Sequence, residues 1–187
     1  MLGDGKSVVL SFDDGPAPVG ALESILQTLR DNQIKAEFYV LGNEVELYPD
    51  AARKIVRDGH DIQNHSWSHA DLAAAQAEDV RSELEETQNV IEDTTGFIPT
   101  KIRPPYGAGG FRGHLDADLV EAARELSLEI VTWDIDTEKI RNIESPVAQA
   151  SRKTSFNILM LVQPGTARDL PSFIAQLKEW GFTIAVP

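Results

Sequence analysis

The sequence predicts an α/β protein: a distorted, incomplete (β/α) barrel of about seven parallel strands, forming one domain over residues 1–187. Three observations carry this expectation. Short apolar runs alternate with segments of helical periodicity, the pattern of parallel strands joined by crossover helices. The runs number seven, too few for a regular eight-stranded barrel of about 250 residues. Finally, the residues able to do chemistry fall at or just past the C-terminal ends of these runs, where parallel barrels carry their active sites.

In chain order, the run at 8–12 begins Val8-Val9-Leu10 and reads as a buried strand. Gly15 and Pro16 stop it, because Pro lacks a ladder donor and Gly permits a sharp exit. Leu22, Ile25, Leu26 and Leu29 then recur at helical spacing. Runs at 36–41 and 61–64 follow, then Leu84, Val90 and Ile91 mark a Glu-rich helix. After the run at 101–103, Leu119, Val120, Ala123 and Leu126 give another helix, and runs at 129–133 and 156–162 come next. Phe173, Ile174, Leu177 and Trp180 mark the last helix, before a final run at 182–186. No internal repeat, low-complexity tract or linker interrupts the series.

The composition narrows the partners. A chain of 187 residues fits one compact domain with a substantial core. Its formal net charge of −13 argues against nucleic acid and anionic membrane surfaces, and makes strongly anionic polymers poorer partners than neutral or cationic ones. With no Cys, neither a disulfide scaffold nor a thiolate metal site is available. No run approaches the length of a membrane span. The N-terminus lacks a charged-then-apolar signal pattern and enters the first strand almost at once through Gly5-Lys6-Ser7-Val8. An extracytoplasmic or cell-envelope location stays open for a domain trimmed from a longer precursor.

Two stretches fit together as one metal site. Ser11-Phe12-Asp13-Asp14-Gly15-Pro16 puts two adjacent carboxylates at a strand end. Successive strand residues point to opposite faces, so this end must be irregular for both acids to face one cleft. Asn64-His65-Ser66-Trp67-Ser68-His69 places two imidazoles four residues apart, on one face of a helical turn. Two His and one Asp suit zinc or a similar divalent ion such as cobalt, with a position left open for water. The remaining Asp is then free to act as a base. Ser66 and Ser68 read as ordinary loop residues, Trp67 as a packing residue, and His60 as packed or hydrogen-bonded beneath the site. The pattern is that of a metal-dependent hydrolase.

These motifs resemble those of the polysaccharide deacetylases of carbohydrate esterase family 4, the NodB homology domain. Arg103-Pro104-Pro105-Tyr106-Gly107 is similar to the family's third motif, Val131-Thr132-Trp133-Asp134-Ile135-Asp136-Thr137 to its fourth, and Ile158-Leu159-Met160 to the start of its fifth. They occur in family order and span nearly the whole chain, and the resemblance implies the same incomplete barrel. It further implies a divalent-metal carbohydrate deacetylase, a hydrolase of carbon–nitrogen bonds other than peptide bonds, acting on an N-acetylated or O-acetylated sugar polymer or oligomer. Its one divalent ion, zinc by preference, is held by Asp14, His65 and His69, and Asp13 is the base on the attacking water. Arg103 orients Asp13, since a guanidinium fixes a carboxylate bidentately. The backbone N–H of Tyr106 helps hold the oxyanion, a role that lowers such barriers by roughly 3–4 kcal/mol. Pro104 and Pro105 preorganise that donor. Pro105, Tyr106, Leu159 and Leu161 line the substrate site.

The chain departs from the family at the last of these positions. Leu161 stands where the family has the general-acid His that Asp136 tunes. Amide hydrolysis needs a proton on the departing nitrogen, and a positioned acid is worth typically 10²–10⁴-fold. His114 and, after it, Lys139 are candidate substitutes; the plain reading of both is a solvent-exposed loop side chain. Lys139 and Ile140 also stand where the family continues to a second Asp and a Trp that walls the acetyl pocket. Trp133 reads as a core aromatic at a strand end. The departures keep two other readings open: a weak or inactive metal-containing carbohydrate-binding domain, and a small-molecule amidohydrolase on the same scaffold. Retention of Asp13 and Arg103 favours an enzyme over a binding domain.

Overall fold

The computed structural model describes residues 5–137, 147 and 153–187. Lys139 and Ile140 lie outside the described residues. The parallel strands are β1 (Ser7–Gly15), β2 (Glu37–Val40), β3 (Asp61–Asn64), β4 (Lys101–Ile102), β5 (Glu129–Ile130), β6 (Ile135–Asp136), β7 (Ser155–Leu161) and β8 (Thr183–Ile184). Seven of them follow the order β5-β4-β3-β2-β1-β7-β6, and β8 pairs with the start of β1. The sheet is thus an incomplete barrel, and about seven strands is the right count along its path. β6 has no counterpart among the expected runs, because two residues carry no periodicity to read.

Six helices cover the sheet among the described residues: α1 (Val19–Asp31), α2 (Gly42–Leu47), α3 (Pro49–Arg57), α4 (Ala77–Thr95), α5 (Ala117–Glu125) and α6 (Pro164–Glu179). α1 buries Ala21, Leu22, Ile25, Leu26 and Leu29, the stripe its periodicity predicts. α5 starts where the Asp116 side chain accepts from the N–H groups of Asp118 and Leu119, and so satisfies two orphan donors. α4 ends at Gly96, whose φ of 73° is the left-handed conformation that Gly adopts without strain. α2 and α3 are additions to the expectation. Their buried residues are Gly42 and Val45, and Ala51, Ala52 and Ile55, too small and too few to give a helical pattern. No helix among the described residues is long and apolar enough to cross a membrane.

The strand period of two sorts the residues into core and interior. Val8, Leu10 and Phe12 of β1, Phe38 and Val40 of β2, and Phe156, Ile158 and Met160 of β7 join one buried cluster with α1 and α6. Phe12 and Phe38 are register partners and stack with centroids 5.0 Å apart. The alternate residues are Ser11 and Asp13, Glu37 and Tyr39, and Asn157, Leu159 and Leu161. They take the opposite face, so the apolar core lies outside the barrel wall and the polar set is left inside.

His60, just before β3, is buried, and its Nδ1 accepts the Ala36 N–H at 3.2 Å. That bond needs a neutral ring, and burial, reinforced by Lys35 against the opposing charge of Asp58, pushes the imidazole down to about 4. Between about 4 and the ordinary value of about 6.5, the unfolded chain binds the proton and the folded one does not. Stability is therefore lost as pH falls through that window, by roughly 3 kcal/mol in all. Urea midpoints measured from pH 7 to pH 4 should decline, and His60→Gln should flatten part of the decline. An equally steep decline in the variant would remove His60 as its cause.

Candidate metal centre

The end of β1 is irregular, as two inward carboxylates require. Phe12 pairs with Phe38 but Gly15 with Val40, so β1 uses one residue more than β2 over this step. The extra residue lets Asp14 take a φ of 63°, a conformation that Asp tolerates better than most residues. Consecutive Asp13 and Asp14 consequently both face the imidazoles.

The two His residues converge by another route than expected. Residues 65–69 are not helical; His65 directly follows β3 and opens a loop in which Ser66 and His69 have φ of 68° and 64°. A helical turn is ruled out there by these positive dihedrals. Side chains hold the loop instead. Glu83 accepts from the N–H groups of Trp67 and Ser68, each at 2.8 Å, and from Ser68 Oγ at 2.6 Å. Ser66 Oγ accepts from His69 N–H at 3.1 Å. Trp67 packs so close to Gly42 that a Cβ there would lie 2.4 Å from its ring, which only Gly avoids.

Among the described residues, one ligand atom each from Asp14, His65 and His69 lies within 4.8 Å of the others. Asp14 Oδ1 stands 3.3 Å from His65 Nε2 and 3.2 Å from His69 Nε2. It is buried yet accepts no well-formed hydrogen bond. His65 Nδ1 lies 2.6 Å from the Arg103 carbonyl oxygen. A carbonyl only accepts, so Nδ1 carries the proton and Nε2 presents its lone pair to the site. A buried carboxylate oxygen without a donor, facing two imidazoles, is a donor set that fits a divalent cation. Burial opposes ionisation of Asp14, but imidazoles carrying a proton toward it outweigh burial and hold its carboxyl well below the ordinary range, a role that a bound cation would take over. Asp14 in turn pushes His69 up, so proton and metal compete for that ring.

Asp13 and Arg103 are buried side by side. Arg103 Nη1 donates to Asp13 Oδ1 at 2.6 Å and to Ser11 Oγ at 2.8 Å, and its Cζ lies 3.9 Å above the Tyr39 ring. The pair is not the bidentate fork expected, because Nη2 turns away and donates to Asn157 Oδ1 at 3.2 Å. Burial pushes the Asp13 carboxyl up, while Arg103 and then His65 pull it down. His65 Nε2 is 3.8 Å from Asp13 Oδ2.

Above these groups opens a cavity of about 220 Å³, lined by Asp13, Asp14, His65, His69, Tyr106, Trp133, Asp136, Leu159 and Leu161. Tyr106 sits in a 3₁₀ turn (Pro105–Gly107) with a φ of 60°, and is 65% exposed. Its ring stands edge-on to His69, with centroids 4.7 Å apart. Asp136 pairs in register with Leu159, and Asp13 with Leu161, so the fourth-motif and fifth-motif residues reach the same cavity. Pro105 is buried in the turn and lies off the lining. His114 is exposed and also off the lining. Trp133 corrects the expectation of a core aromatic: it walls the cavity, edge-on to Phe111 at 5.3 Å. Ser11, Glu37, Tyr39 and Asn157 were not candidates in the sequence. The signal that could have found Ser11 and Asn157 is period two, which puts them on the faces of Asp13 and Leu159.

The sequence profile of the family described as Polysaccharide deacetylase matches residues 3–131, a span that ends before Asp136 and Leu161. The peptidoglycan-N-acetylglucosamine deacetylase PgdA of Listeria monocytogenes is 31% identical over 182 residues, covering 95% of this chain and 37% of that protein. The peptidoglycan-N-acetylmuramic acid deacetylase PdaC of Bacillus subtilis is 34% identical over 184 residues, covering 96% and 37%. The chain thus spans little more than a third of these relatives. Among solved structures, a CE4 family pseudoenzyme from Bacillus anthracis superposes with a TM-score of 0.80 at 26% identity, covering 96% of this chain and 63% of that one. A mutant with restored enzymatic activity superposes with the same score at 28% identity, covering 96% and 65%.

Proposed function

Because this chain belongs to the polysaccharide deacetylase family, we propose that it removes acetyl groups from an N-acetylated or O-acetylated polysaccharide or oligosaccharide. The observation that carries the proposal is the pairing in one cavity of a buried, Arg-clamped carboxylate, Asp13, with the donor set of Asp14, His65 and His69. The names of the relatives, deacetylases of peptidoglycan sugars, support the substrate class.

The donor set would hold one divalent ion, zinc or cobalt, which supplies Lewis-acid polarisation of the acetyl carbonyl and a lowered pKa for water. Asp13 takes the proton of the attacking water, and a carboxyl pushed up by burial is the better acceptor. Arg103 keeps that carboxylate aimed. The Tyr106 N–H serves the developing oxyanion, and Leu159, Leu161 and Trp133 offer the methyl group an apolar wall. As water's oxygen bonds to the carbonyl carbon, the bond to the sugar nitrogen or oxygen breaks, and the leaving atom needs a proton. An alkoxide leaves with less help than an amide nitrogen, so the lack of a His at 161 weighs more on N-deacetylation.

Acetate release from chitooligosaccharides, acetylxylan and peptidoglycan, with and without chelator, tests the proposal. Release from one or more, lost with chelator and restored by zinc, is expected. No release from any would favour a second reading, a carbohydrate-binding domain that keeps its metal, which Leu161 and the pseudoenzyme relative support. Independently of activity, the protein should bind one zinc per chain, and His65→Ala should lose it by metal analysis. Tight stoichiometric zinc in that variant would defeat the ligand assignment. Occupancy should fall on acidification, because both imidazoles must be neutral to ligate.

A further inference from the structure

Beneath the cavity, the polar groups of the barrel interior converge on Arg103. This side chain is fully buried, and its terminal nitrogens go different ways, Nη1 to Asp13 Oδ1 and Nη2 to Asn157 Oδ1. Asn157 Oδ1 also accepts from Ser11 Oγ at 2.7 Å, and its Nδ2 donates to Glu37 Oε2 at 3.4 Å. Glu37, 3% exposed, receives the Tyr39 hydroxyl at 3.1 Å on the same oxygen and pairs with Lys101 through the other. An amide has one accepting end and one donating end. Asn157 can therefore meet both neighbours only with its oxygen toward Arg103 and its NH₂ toward Glu37. The carboxylate sets the amide, and the amide sets the guanidinium.

That order has a consequence for Asp13. A guanidinium is a rigid planar fork, so fixing Nη2 fixes the direction in which Nη1 points. Asp13 meets Arg103 through a single oxygen, at the same Nη1 that donates to Ser11 Oγ, so both of these contacts sit at one corner of the fork. At the other corner Nη2 has Asn157 Oδ1 at 3.2 Å and the longer contact to the Thr132 carbonyl at 3.5 Å, which makes Asn157 the closer anchor against tilting. We infer that Asn157, oriented by Glu37, is a positioning residue for the catalytic base: it holds Arg103 in the plane that aims Asp13 at the cavity, without touching substrate. The role rests on the reading of Asp13 as the base of acetyl hydrolysis.

Asn157→Ala should lower kcat about 10-fold to 10²-fold, the scale of a misplaced catalytic group, with KM within about twofold and zinc content unchanged. Glu37→Gln, nearly isosteric, should shift kcat the same way by less, and it carries the test if Asn157→Ala does not fold. Arg103→Lys keeps a cation for Asp13 but has no second nitrogen to hold. In that background Asn157→Ala should change kcat less than twofold. A full, multiplied loss there, or unchanged kcat in both single variants of an active enzyme, would overturn the inference. ¹⁵N-resolved spectra of the Arg103 Nη protons read the geometry without turnover. The wild type should show distinct, slowly exchanging signals, and Asn157→Ala should collapse the Nη2 pair; signals retained in the variant would also overturn it. A wild type that releases no acetate from any substrate sinks the hydrolase reading and this role with it. An active wild type that fails the other tests sinks only this role.

Discussion

Leu161→His should raise amide deacetylation by roughly 10²–10⁴-fold, the worth of a positioned general acid. Leu161 is the register partner of Asp13 and lines the cavity that Asp136 also lines, so a His there would enter the same cavity as the base and Asp136. Ester cleavage should change far less, because an alkoxide needs less protonation to depart. The comparison to make is acetate release from a chitooligosaccharide against that from acetylxylan, wild type against variant. If the wild type already cleaves amides well and the added His gives nothing, the proton comes from elsewhere. His114→Ala or Lys139→Ala would then depress amide turnover selectively. A wild type inactive on every acetylated sugar, and unrescued by Leu161→His, would turn the assignment to the binding domain.

Asp13→Asn should cut hydrolysis by at least about 10²–10⁴-fold, since an amide cannot take the water's proton. Zinc content should be nearly unchanged, because Asp14, His65 and His69 are untouched. The variant also leaves Arg103 buried with its charge unmatched on that side, and breaking such a pair costs about 3–5 kcal/mol. A lower melting temperature should therefore accompany the lost activity, and assays belong well below it. Activity near the wild-type level in folded, zinc-loaded Asp13→Asn would mean that another group is the base, and the chemistry proposed here would need replacing.

Much of this was readable from neighbouring residues. The apolar run before Asp13, the Leu stripe of α1 and the Gly-Pro stop after Asp14 act over a few positions, and the strands and main helices followed them. The candidate metal donors were legible because each motif sets unusual residue types at short spacing, whereas the Asp13–Arg103 contact, 90 positions apart, was implied only by the family resemblance. Other features were not local. α3 escaped notice because its buried face is largely Ala, which gives periodicity little contrast. The His65–His69 pair has the spacing of a helical turn, yet Glu83, in α4, holds that segment as a loop through three hydrogen bonds. Trp133 read as core because a strand-end aromatic looks the same whether it faces helices or a cavity. Asn157 and Glu37 read as ordinary strand residues, 120 positions apart. By itself, then, the sequence determined which residues could bind metal and move protons, because those capacities belong to side-chain chemistry and short-range pattern. Tertiary structure alone decided which of them meet: strand register and closure of the sheet bring distant segments within hydrogen-bonding reach, and no periodicity records that.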